Sequence, residues 1–134
     1  MNTNAIANKV VVWCRNYFSI SEDVTIKLRL DIYKDLDCWG VSEQMEDKVY
    51  SIIISTDQSL RDFIATIVHE MVHVKQWESD EWDGDGEAEA KHLQYHVRSY
   101  VERRCVLMYE WILGFSFMLF VVLVVYLCCE GDDQ

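Results

Sequence analysis

The chain contains no proline and only five glycines in 134 residues, so a loop-dominated or low-complexity architecture is not expected. Its five cysteines (Cys14, Cys38, Cys105, Cys128, Cys129) are odd in number and include no C-x-x-C pair. That argues against a Cys-type zinc site and against a disulfide framework, and fits free thiols in a reducing compartment. Bases are scarce too: 12 Lys and Arg against 23 Asp and Glu give a formal net charge of −11. An acidic surface repels phosphate backbones, so nucleic acid is not expected as the main partner. The first residues lack the marks of a signal peptide. Met1 to Asn8 is polar, and Val10 to Trp13 is too short for an apolar leader core.

The acids that are present are unevenly spread. Seven of them (Glu78, Asp80, Glu81, Asp83, Asp85, Glu87, Glu89) fall within residues 78–89 with no base among them. A solvated loop is the plain account of most of that run. Glu81-x-Asp83-x-Asp85-Gly86 has some of the oxygens of a calcium loop, but His92 stands where the bidentate Glu belongs.

Periodicity orders the rest. Ala5 to Phe18 has helical spacing, with Asn4 as candidate N-cap. Thr25 to Tyr33 alternates, with Ile26, Leu28, Leu30 and Ile32 on one face, and predicts a half-buried strand. A short strand is possible around Cys38 to Ser42, and Val49 to Ser55 predicts another from its β-branched residues. Ser59 with Asp62 resembles a capping box before a wide apolar stripe: Leu60, Phe63, Ile64, Ile67, Val68, Met71 and Val72. That helix should end near Glu78, and another should begin near Glu87 with Leu93, Val97, Tyr100, Val101 and Cys105 on one face.

His69-Glu70-Met71-Val72-His73 is an H-E-x-x-H motif inside the strongest of these helices. Residues at i and i+4 lie one turn apart on one face, so both imidazoles can reach one metal ion. Glu70 sits beside them as the candidate general base on a zinc-bound water. A catalytic zinc needs a third protein ligand and an open position. The short extension of the metzincins is absent, since Gln76 and Ser79 occupy the positions of its Gly and third His. Glu87, Glu89, His92 and His96 are the downstream candidates. Tyr95, His96 and Tyr100 are available to stabilise an oxyanion.

The segment His69 to Trp77, followed by Gly86-Glu-Ala-Glu-Ala90, resembles small gluzincin-type metallopeptidases of phage and bacterial genomes. These are often described as SprT-like or minigluzincin-like, and are more distantly similar to ImmA/IrrE-type proteases. The resemblance covers roughly Val49 to Tyr95. It implies a third ligand in an E-x-x-A arrangement on the next helix, which points to Glu87, with Glu89 and His92 as alternatives. Lys91 stands where many gluzincins carry Asp or Asn, and some SprT-like enzymes use a third His. In such folds a strand just before the metal helix pairs with extended substrate, a role that Ser51 to Ser55 would take.

Trp111 to Cys129 is nineteen residues without a charge. As a helix it would span about 28 Å, close to the hydrocarbon thickness of a bilayer. Arg98, Arg103 and Arg104 precede it, while only acids follow, which predicts a cytoplasmic soluble domain.

The expected architecture is therefore α+β: a small zincin-like domain over residues 1–109 with a helix, a short antiparallel sheet, the H-E-x-x-H helix and a third-ligand helix. A transmembrane helix (110–129) and an acidic tail (130–134) follow. The expected activity is zinc-dependent peptide-bond hydrolysis of proteins or peptides at the cytoplasmic membrane face. Zn2+ is held by His69, His73 and Glu87, with Glu70 catalytic. The competing reading is a tail-anchored, non-catalytic adaptor that keeps a metallopeptidase fold. Such a module has no use for an acid between two ligand histidines. A DNA-linked protease of the SprT type is disfavoured by the acidity and by the lack of a zinc ribbon.

Overall fold

A computed structural model of the chain describes residues 2–32, 38–82 and 84–104. The segment 110–129 expected to cross a membrane, the tail 130–134, Asp83, Cys105, Cys128 and Cys129 lie outside the described residues. Among those described, no helix is long and apolar enough to cross a membrane. Met1–Ser99 forms one compact unit and Tyr100–Gln134 another.

Helix α1 (Thr3–Tyr17) opens on Asn2, whose side-chain oxygen accepts from Ala5 N at 3.2 Å. The cap is thus Asn2 and not Asn4, which leaves Asn4 inside the first turn. The helix stops where Phe18 N donates back to Cys14 O and Ser19 takes the left-handed conformation (φ 55°). Strand β1 (Thr25–Asp31) alternates as predicted, with Ile26, Leu28 and Leu30 turned towards the core and Thr25, Lys27 and Arg29 towards solvent, but Ile32, expected on the core face, lies past its end and is exposed. Strand β2 (Gly40–Glu46) and strand β3 (Val49–Ser55) are joined by a tight turn in which Lys48 has φ 55°.

The sheet order is β1-β3-β2. β2 runs antiparallel to β3, whereas β1 runs parallel to it, with Ile26 opposite Tyr50 and Leu30 opposite Ile54. The sheet is therefore mixed, which corrects the antiparallel expectation. The hairpin turn gives one side of β3 to β2. The chain reverses direction twice between β1 and β3, so β1 reaches the other side running the same way. β3 is consequently the central strand and not an edge. Its fully buried Tyr50, Ile52 and Ile54 contribute on the order of 1.5–3 kcal/mol each through apolar burial.

Helix α2 (Leu60–Ser79) starts as the sequence predicts, with Asp62 N donating to Ser59 Oγ at 3.1 Å. It packs on α1, β2 and β3, and its stripe of Phe63, Ile67, Val68, Met71 and Val74 joins Ala7 and Cys14 in the core. Tyr50 stacks on Trp77 at 5.6 Å, and its hydroxyl donates to Glu78 near the helix end. Asp80 closes α2 in the left-handed conformation. The acidic run follows, and helix α3 begins at residue 87 and is described to residue 104. Leu93 and Val97 pack against the core. Asp62 near the start of α2 pairs with Arg98 at 2.8 Å, so the α2 cap also holds α3 in place.

Candidate metal centre

α2 places His69 and His73 one turn apart on the same face, with their Nε2 atoms 3.2 Å from each other. The first residue of α3 meets them there. Glu87 Oε1 lies 3.2 Å from His73 Nε2 and 3.7 Å from His69 Nε2. Ligands about 2.0–2.1 Å from a tetrahedral zinc stand about 3.3–3.4 Å apart, so this triangle has the size that such an ion requires. Among the described residues, His69, His73 and Glu87 are the one group placed to hold a metal ion. Nitrogen, nitrogen and carboxylate oxygen are also the donor set that suits zinc.

The other atoms of these side chains are set by their neighbours. His73 Nδ1 lies 2.9 Å from Gln76 Oε1. His69 Nδ1 is buried and has no hydrogen-bond partner among the described residues. Lys91 pairs with Glu87 Oε2 at 3.1 Å, leaving Oε1 turned to the histidines. That ammonium holds the Glu87 carboxyl below the ordinary range, burial opposes it in part, and the nearby His69 adds a smaller lowering.

Glu70 is only 6 % exposed and sits on the cleft side of α2. Burial pushes its carboxyl above the ordinary range, and the hydrogen bond from Ser42 Oγ to Oε2 (2.7 Å) partly opposes that shift. Strand β2 passes so close that a Cβ at Gly40 would lie 2.6 Å from Thr66 Cγ2 and 2.8 Å from Glu70 Oε1. Only a glycine fits there without displacing the strand from the helix.

An open cleft of about 490 Å3 contains these groups. One wall is the β2 segment Gly40, Val41 and Ser42, and the other is formed by His69, Glu70, His73 and Trp77 of α2. Trp82, Asp85 and Glu87 close the third side, and Cys38 lies at one end.

The structure brings His69, Glu70, His73 and Glu87 together and sends the alternatives elsewhere. Glu89 pairs with Lys75 at 3.0 Å and accepts from Gln76. His92 packs against His96, ring centroids 4.4 Å apart, and neither lines the cleft. Tyr95 is largely exposed and does not line it either, and Tyr100 is exposed. Asp85 uses its carboxylate to accept from Glu87 N at 3.1 Å, an Asx turn at the entry to α3. Three residues escaped the sequence reading: Gly40, Ser42 and Gln76. The first two needed the pairing of β2 to be known. Gln76 had a local signal, since it stands at i+3 from His73 on the same helix.

Fold and site together define an α+β domain in which an H-E-x-x-H helix and the start of the next helix form a compact His-His-Glu centre. Comparison with protein-family models, with curated proteins and with solved structures gives no match.

Proposed function

We propose that the chain is a zinc-dependent peptidase with a small zincin-like fold, in which His69, His73 and Glu87 are the metal ligands and Glu70 is the general base. The observation that carries this reading is the convergence of three ligand atoms from two helices on one point, beside a buried carboxylate in the same open cleft. A zinc ion held there supplies Lewis-acid polarisation of a carbonyl and lowers the pKa of water.

Glu70 would take the proton from the attacking water. Burial raises its proton affinity above that of an exposed carboxylate, and Ser42 holds Oε2 so that Oε1 is the oxygen left for the transfer. Protein or peptide substrates suit an open cleft walled by a sheet edge. That edge is β2, which therefore takes the substrate-pairing role that the family resemblance suggested for Ser51 to Ser55 of β3. The apolar segment 111–129 would tether the domain to a membrane with the cleft on the cytoplasmic side.

Metal analysis tests the core of this reading. The purified full-length chain should carry about one zinc per molecule, and His69→Ala or His73→Ala should abolish binding. A folded wild-type protein that takes up no zinc after its addition refutes the proposal.

A further inference from the structure

Gln76 is 3 % exposed, lies one turn beyond His73 on α2, and has no part in the chemistry above. Its side-chain amide nonetheless touches three groups. Oε1 lies 2.9 Å from His73 Nδ1, and Nε2 lies 2.9 Å from Gly86 O and 3.0 Å from Glu89 Oε2. The chemistry of these partners decides which end of the amide is which. A backbone carbonyl and a carboxylate only accept, so the NH2 group must face Gly86 and Glu89. The amide oxygen therefore faces His73, and it too only accepts. His73 must then carry a proton on Nδ1, and as a neutral imidazole it presents a bare Nε2, the atom 3.2 Å from both His69 Nε2 and Glu87 Oε1.

The same amide fixes where the third ligand begins. Gly86 immediately precedes Glu87, and its carbonyl is the one that Gln76 holds. The approach is close enough to demand glycine: φ is +76°, and a Cβ would lie 2.4 Å from Gln76 Oε1. Lys75 holds the second oxygen of Glu89, so the first turn of α3 is tied to α2 at two adjacent points.

We propose that Gln76 is a positioning residue of the metal centre, whose carbonyl fixes the tautomer of His73 and whose amide sets Glu87 in register with the two histidines. The inference rests on the reading of His69, His73 and Glu87 as metal ligands. Partners of this kind, one bond removed from a metal, typically change affinity by about 10–100-fold when they are lost.

Co2+ titration of the full-length chain provides the test, with the visible absorption of the bound ion as a second readout. Gln76→Met keeps the length of the side chain and loses every polar contact. It should weaken Co2+ binding by about 10–100-fold and alter the absorption band. Gln76→Glu keeps an acceptor for His73 but sets a carboxylate against Glu89 and Gly86 O, and should weaken binding as well. Adding Glu89→Gln to Gln76→Glu restores a donor opposite an acceptor and should recover most of that loss. Nitrogen-detected NMR of metal-free wild type, which needs no variant to fold, should show His73 protonated at Nδ1. Protonation at Nε2 instead, or a folded Gln76→Met with affinity within about threefold of wild type, overturns the proposal. A wild type that takes up no Co2+ at all would refute the underlying metal reading, a result distinct from either of these.

Discussion

Glu70 combines burial with a hydrogen bond from Ser42, and that pairing suits a base better than a structural acid. A carboxylate fixed only for stability would gather several donors and fall in pKa; here burial outweighs the bond from Ser42. Glu70→Gln keeps the shape and can still accept from Ser42, but cannot take up a proton. The variant should retain zinc and lose peptidase activity by at least about 100-fold. Cleavage at the wild-type rate would show that the base lies elsewhere. His69, Glu70 and His73 were legible at this scale because spacing on one helix is a local property. Glu87 was reached only through the family resemblance, since nothing local separates it from Glu89. The structure separates them by partner: Glu89 belongs to Lys75 and Gln76, Glu87 to the histidines. Ser42 lies 28 residues from the carboxylate that it contacts, and no local pattern could have paired them.

At the scale of the element, α2 was the most legible part of the chain because its cap and its stripe are both written in consecutive residues. Strand positions were legible for the same reason, but their neighbours were not. Which strand lies in the middle depends on pairings between segments, so β3 was recognised as a strand and misplaced as an edge. The α2 cap supports a prediction about acid stability. The Asp62 carboxyl lies below the ordinary Asp value, first through the hydrogen bond from Ser59 and then through Arg98 and Arg61. A group lowered on folding contributes stability above its unfolded pKa of about 3.9, and that contribution is lost as pH falls through the folded value. Thermal melting of the wild type should therefore drop across the region below about pH 4, and Asp62→Asn should lower the neutral-pH melting point and flatten that drop. Equal slopes in the two proteins would remove Asp62 from the account.

For the whole molecule the question is whether the unit carrying the cleft stands alone. Met1–Ser99 forms one compact unit, and among the described residues the buried apolar side chains run from Ala7 to Ala90. A chain truncated after Tyr109 should remain folded, soluble and able to bind zinc, while the full-length chain should partition with membranes and resist carbonate extraction. Aggregation or unfolding of the truncated chain would mean that the apolar stretch belongs to the core instead.

The acidic run from the end of α2 into the start of α3 places seven acids within residues 78–89, and Asp85 and Glu87 from it line the cleft. Its field reaches farther than any ligand bond and favours the diffusional encounter of cations. Because charges are screened over about 10 Å at 0.1 M salt and about 3 Å at 1 M, the association rate of Zn2+ should fall as ionic strength rises. The dissociation rate, governed by the coordinating bonds, should change far less. Stopped-flow uptake that is independent of salt would show the run to be a bystander. On the proposed metal reading, the acidic run would set how often an ion arrives, and the three ligands how long it stays.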